Sequence, residues 1–403
     1  TGKRILNFRI SLNKQADIPV LKLNYSNLFK EFAMFSEMRL SEGIKADLTD
    51  SDFTSLFLQC RLSVLNINSD DIDGDNVEVY RKLYFFIYAF CRTGALDAGE
   101  NFFKQKLNSF IYDKKNITLD DVVKGCFIIN SCYEIFIHKR ESGFLQVYYP
   151  ALKGVAEYIY SYSVNLHEAK SHRQSTGVHS FAISFNITES IYIYSAISNI
   201  SYLARCLGIF GDESKFKNES LRIQSLILDS LKYEEPASHH EILFSLLALP
   251  EKVLMSLKHD EYKKILIEIA SSKGFPVTHP LFGIDMFSST SMLNQFFMSG
   301  VNESQEYFSI LSGYIDDFHV IPDYIDPSSH KGAWGEGNSK VVNAVLFATL
   351  RNRLFIDGAD RLELFPSPDK KWFNAGSRIR VENATSRYGL ISFTLDASGD
   401  EIR

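Results

Sequence analysis

Apolar residues recur at three- and four-residue spacing in run after run between residues 25 and 353. That period marks one face of an α-helix. The runs predict helices at 25–40, 51–66, 77–93, 95–112, 119–138, 145–163, 188–207, 211–233, 238–256, 259–272, 287–299, 303–316 and 337–353. Punctuation supports several of them. Asp50 and Ser51 precede the second, Thr118 with Asp120 and Asp121 opens the fifth, and Asn302 precedes the twelfth. Each supplies a side-chain oxygen for the unpaired amides of a first helical turn. Gly94, Gly208 and Gly300 each follow a periodic run, where a glycine closes a helix.

The period changes at both ends of the chain. Arg4 to Ile10 alternates like a strand, so residues 1–50 read as a lead-in strand and a linker helix ahead of a helical domain at 51–353. After Arg353, the stretches Arg361–Phe365, Ser377–Glu382 and Gly389–Leu395 alternate apolar and polar positions between turn-forming segments. Residues 354–403 therefore read as a small antiparallel β appendage.

With the first helix set aside, the connectors between the other twelve fall into two classes. Those at Gly94, 139–144, 208–210, 257–258 and 300–302 are short, whereas those at 67–76, 164–187, 273–286 and 317–336 are long. Alternation of this kind makes one end of a helix array tight and the other elaborated, and elaborated loops on a rigid scaffold commonly build a binding site. A solenoid of helix pairs would show a similar sequence repeating about every 34–47 residues. None is present, so the expected fold is mainly α, a closed ring of six helical hairpins.

The loop Asp317–Glu336, D-F-H-V-I-P-D-Y-I-D-P-S-S-H-K-G-A-W-G-E, is the most distinctive of the long connectors. Its prolines remove backbone donors and its charges resist desolvation, which argues against both helix and strand. It carries Trp334, one of two tryptophans, and runs directly into a helix. It reads as the rim of a site.

Composition narrows the classes of function. A hydrophobic content of 45% with 13% aromatics sustains a large core and excludes intrinsic disorder. The net charge is −6 and no basic run stands out, so no nucleic-acid partner is expected. No apolar stretch reaches the roughly 18–20 residues of a bilayer span, so no membrane partner is expected either. Cys60, Cys91, Cys126, Cys132 and Cys206 are odd in number and lack a CxxC pair. They read as small core residues in a reducing, cytoplasmic setting, with no thiolate metal site. Thr1 reads as a trimmed end. The N-x-S/T triplets at Asn116 and Asn186 matter only in an exported protein.

No phosphate-cradling GxxxxGK[ST], no dinucleotide GxGxxG and no GxSxG elbow is present, so no cofactor is expected. The acidic run at 69–76 resembles a calcium loop, but with Gly74 in sixth place the twelfth is Tyr80, where a bidentate glutamate is required. It reads as a solvated turn. His240–Glu241 lacks the second histidine of a zincin motif.

One family comes into view at the C-terminus. The runs W-G-E-G-N-S-K-V-V-N-A-V-L-F-A-T-L-R-N-R-L-F, L-E-L-F-P-S-P, W-F-N-A-G-S-R-I-R-V and T-S-R-Y-G-L-I-S-F-T-L resemble the closing section of six-hairpin glycosidases of the glucoamylase type. The resemblance covers about residues 51–397, most specifically the last seventy. It implies an (α/α)6 toroid with a small C-terminal β appendage and an inverting glycoside hydrolase activity on an oligo- or polysaccharide. It further implies a general acid in the connector 164–187 and a base in 317–336. Glu168 then stands at the acid position, while Asp323 and Tyr324 stand where such enzymes tend to carry Glu and Gln. The run E-V-Y-R-K-L-Y, residues 78–84, stands where a W-x-R-D-like element is often found.

Glycoside hydrolysis needs one carboxyl to protonate the leaving oxygen and a second to activate water or attack. The candidates are Glu168 or Glu189 as acid and Asp323 or Glu336 as base. Glu336 lies between two glycines, whose backbone freedom allows a close approach to ligand. Trp334, Tyr324, Phe282 and Phe287 offer apolar faces for sugar rings, and His279 and His330 offer hydrogen bonds to hydroxyls. Asp326, before Pro327, reads as turn chemistry, and Trp372 as core of the appendage. Two other readings fit the same residues: a non-catalytic carbohydrate-binding relative, and a polysaccharide lyase. The sequence leaves the oligomeric state open.

Overall fold

The computed structural model describes residues 25–110, 117–176, 187–231, 283–301, 303–315, 320–358, 360–398 and 401–402. The chain separates into two units, Thr1–Ser41 and Glu42–Arg403. In the first, helix α1 spans Tyr25–Ser41 and leaves Met34, Phe35 and Met38 exposed.

The second unit is mainly α-helical with a few small antiparallel sheets. Among the described residues its helices are α2 (Ser51–Leu65), α3 (Val77–Thr93), α4 (Leu96–Ser109), α5 (Leu119–Lys139) and α6 (Ser142–Thr176), then α7 (Ile187–Cys206) and α8 (Phe210–Leu231). After them come α9 (Met286–Met298), α10 (Ser304–Ser312) and α11 (Lys340–Leu354). The predicted runs at 238–256 and 259–272 and the strand at Arg4–Ile10 lie outside the described residues.

Helices apolar on all sides belong in an interior, and those with one apolar stripe belong outside. The chain follows that division. Helix α3 is buried from Leu83 to Thr93 and α5 from Val122 to Ile135, whereas α4 and α8 keep one face in solvent. The buried set packs in succession, α3 on α5 and α5 on α7, with α9 on α11 and α11 on α3. Paired contacts fix their direction. Tyr84 meets Phe127 while, further along both helices, Arg92 meets Glu134, so α3 and α5 run parallel. Phe127 with Tyr192 and Tyr133 with Tyr202 do the same for α5 and α7. Thr349 reaches Thr290 and Asn352 reaches Asn294, aligning α11 with α9. Lys340 bonds Asp71, just ahead of α3, and Asn352 donates to Tyr88 within it, aligning α11 with α3.

Parallel neighbours linked in sequence require a return segment. Helices α4, α6 and α10 stand between α3 and α5, α5 and α7, and α9 and α11 respectively. All five parallel helices thus begin at one end of the array and finish at the other.

The finishing end is closed by strands. Lys45–Leu48 (β1) joins β7 (Arg378–Ser386) and β8 (Gly389–Ser398), with β9 (Glu401–Ile402) beyond; Phe355–Asp357 (β5) pairs with Leu362–Leu364 (β6). Strand β1 falls within the stretch expected to be only lead-in and helix. Its four residues alternate exposed and buried, a pattern too short to register until Lys45 is seen opposite Glu382 and Leu48 opposite Ile379. Trp372, in a short 3₁₀ turn at Lys370–Phe373, is buried edge-on to Phe53, and the Arg353 guanidinium lies 4.5 Å from its ring centre. The trimming of the predicted helix 303–316 to Ser304–Ser312 and the extension of 145–163 to Thr176 are the largest boundary differences. No helix among the described residues is long and apolar enough to cross a membrane.

Candidate active site

The beginning end of the parallel helices is built from caps and short strands. Asn76 caps α3 by accepting from the Val79 amide at 3.0 Å. Before it, Asn68 and Asp71 form a reciprocal capping box on the 3₁₀ turn Ser69–Ile72. Asp71 also receives Lys340 Nζ at 2.7 Å from the first turn of α11. In the calcium-like run Asp73 accepts from the Gly74 amide, and Asp75 from the Tyr80 hydroxyl and Lys124 Nζ. Among the described residues, no group of His, Cys, Asp or Glu is arranged to hold a metal ion.

The loop Asp317–Glu336, expected to be neither helix nor strand, carries two short strands, β3 (Tyr324–Asp326) and β4 (Lys331–Trp334). They pair with each other and with β2 (Ile284–Asp285), which leads straight into α9. The prolines tolerate this because Pro322 and Pro327 flank β3 rather than interrupt it, and the charges tolerate it because β4 is exposed throughout. Asp326 closes the hairpin, accepting from the Ser328 amide and from the hydroxyls of Ser328 and Ser329; those bonds hold its carboxyl below the usual carboxylate range.

From β4 the chain turns through Gly335, with φ +80°, into Glu336. The Glu336 amide donates to Asp323 Oδ2 at 2.7 Å, the Asp323 amide donates to the Glu336 carbonyl at 3.1 Å, and the Met286 amide donates to the Asp323 carbonyl at 3.0 Å. Ser339 then caps α11. The Glu336 side chain is 53% exposed and its carboxylate lies 3.6 Å from Lys82 Nζ. It stands on a cleft of about 320 Å³ between α3 and α11, lined also by Asp70, Asp73, Glu78, Lys82 and Lys340 over Val79 and Phe86.

Beside this cleft, Arg81 is bridged to Glu78 at 2.7 Å and lies 4.6 Å from the ring centre of Phe287, in the first turn of α9. Asp285 caps α9 through the Ser288 amide and hydroxyl, at 3.0 and 2.8 Å. Its burial pushes the carboxyl above the ordinary range, against the pull of Ser288 and of the Arg81 charge.

The structure therefore brings Asp323 together with Glu336, and Tyr324 opposite Trp334 across β3 and β4. Trp334 is 63% exposed. Glu189 opens α7, half-buried, and its charge adds to burial in raising the pKa of the Tyr162 hydroxyl. Because α7 runs parallel to α5 and α3, Glu189 lies at the same end as Glu336. His330 sits at the exposed hairpin tip with φ 55° and its ring 4.7 Å from that of Tyr314. The backbone at Glu168 belongs to α6 rather than to a loop; its side chain, like His279 and Phe282, lies outside the described residues.

Sequence reasoning missed Arg81, Lys82 and Asp285. The first two lie in the run E-V-Y-R-K-L-Y, and helical phase alone would have placed them at the start of α3. Asp285 reads as one more acid until it is seen capping α9. No protein-family model matches the chain, and neither does any curated protein.

Proposed function

We propose that the protein is an inverting glycoside hydrolase built on an (α/α)6 toroid and acting on an oligo- or polysaccharide. The observation that carries the reading is the shared end of the parallel helices, where Glu189 opens α7 and Glu336 leads into α11. Carboxyls remote in sequence can then face one another across a bound chain.

In this reading Glu336, exposed and steadied by Lys82, is the base that takes a proton from water. Glu189 is the acid that protonates the departing glycosidic oxygen, with Glu168 as the other candidate. Inverting hydrolysis holds the two carboxyls roughly 6.5–9.5 Å apart, leaving room for the water. Trp334 and Tyr324 offer apolar faces for sugar rings beside the base.

The test is hydrolysis of a glycan panel by the wild-type chain, Glu189→Gln, Glu168→Gln and Glu336→Gln, with the first-formed anomer read by NMR. The expected outcome is turnover with inversion, and a loss of about 10²–10⁴-fold in Glu336→Gln and in one of the other two variants. Glycan binding without turnover would favour a non-catalytic carbohydrate-binding protein, and an unsaturated product a lyase.

A further inference from the structure

We infer that Asp323 is a positioning residue, a latch that fixes the peptide carrying Glu336, rather than a second base; this rests on the reading of Glu336 as the base. Three hydrogen bonds converge on Asp323. Its carboxylate accepts from the Glu336 amide, its own amide donates to the Glu336 carbonyl, and its carbonyl accepts from Met286 at the start of α9. Glu336 is thereby tied through one residue to the first turn of a buried helix, although its side chain faces solvent. Gly335 completes the fit. A Cβ there would stand 2.5 Å from Asp323 Oδ2 and 2.7 Å from Asp323 Cβ, on a backbone already at φ +80°, so only glycine lets the two segments close. One of the two Asp323 carboxylate oxygens is thus already engaged by the Glu336 amide at 2.7 Å. A base that must meet water within a fraction of an ångström gains directly from being held this way.

Two variants separate latch from base. Asparagine at position 323 keeps an oxygen to accept from the Glu336 amide but cannot act as a base, whereas alanine removes both functions. The expected result is that Asp323→Asn keeps kcat within about threefold of wild type, while Asp323→Ala lowers kcat by about 10–100-fold with KM little changed. Amide hydrogen exchange reads the latch without any substrate. The Glu336 amide should be protected in wild type and in Asp323→Asn, and should exchange about 10–100-fold faster in Asp323→Ala and in Gly335→Ala. Unchanged exchange in both of those variants would overturn the latch. So would loss of turnover in Asp323→Asn to the level of Glu336→Gln with the amide still protected, since Asp323 would then be acting chemically. A wild-type chain that hydrolyses no glycan would defeat the hydrolase reading alone, and the exchange data would still judge the latch.

Discussion

Both ends of the parallel helices are rich in charge, yet they use it in opposite ways. At the finishing end the charges are sealed from water. Arg92 pairs with Glu134 at 3.2 Å between α3 and α5, and Arg351 pairs with Asp357 at 2.5 Å where α11 gives way to β5. Asp357 also accepts from the Arg387 amide, and Arg351 donates to the Thr385 carbonyl, so the helices and the C-terminal hairpin share one network. At the beginning end, Glu78, Lys82, Glu336 and Lys340 keep between 29% and 53% of their side-chain surface in solvent around a cleft. A buried pair holds a fold in register because neither partner has another place to go. An exposed pair contributes little to stability and stays available to a ligand.

The largest expected effect follows from the sealed end. Removing one partner of a buried pair strands the other, so Asp357→Ala should lower the unfolding free energy by about 3–5 kcal/mol in urea titrations. The Arg351 guanidinium and the Arg387 amide would both lose their shared carboxylate. A loss below 1 kcal/mol would mean that the network does not hold the hairpin to the helices.

The next effect is pH dependence at the same end. The His138 Nδ1–H donates to the Glu134 carbonyl at 2.9 Å, and Nε2 lies 3.7 Å from Asp357 without a hydrogen bond. Burial pushes the imidazole down to about 4, and the Arg92 charge pushes the same way. Burial alone would raise the Asp357 carboxyl, but Arg351 and then His138 hold it well below the carboxylate range. A histidine whose folded pKa lies below its unfolded value of about 6.5 takes up its proton more readily when unfolded. Stability is therefore full above that value and falls as pH drops toward 4. The expected loss between pH 7 and pH 5 is about 2 kcal/mol, and His138→Gln should remove it. A slope retained in the variant would place the sensitivity elsewhere.

The smallest effect belongs to the open end. Lys82→Met should change stability by less than about 1 kcal/mol, because its partner Glu336 is half exposed and screened. A cost comparable to that of Asp357→Ala would erase the distinction between the two ends.

How legible each end was in the sequence follows from the same physics. Helices such as α2 and α5 carry their own punctuation in the caps Asp50 and Thr118, and their apolar runs exceed two turns, so their boundaries could be read locally. The short strands β1 and β3 could not. Lys45–Leu48 becomes a strand only because Arg378–Ser386 lies beside it, and Tyr324–Asp326 only because Ile284–Asp285 does. The acids of 317–336 were visible as acids. That Asp323 spends an oxygen on the Glu336 amide, while the Glu336 carboxylate faces a cleft, depends on a turn at Gly335 that no local pattern encodes.

The most direct test of the account is a crystal structure of the Glu336→Gln chain with an oligosaccharide. The expected result is a glycosidic bond held at the beginning end of the helices, between the Glu189 carboxyl and position 336, with those groups roughly 6.5–9.5 Å apart. A sugar bound only at the other end, or a separation too wide for a water and one glycosidic oxygen, would contradict it.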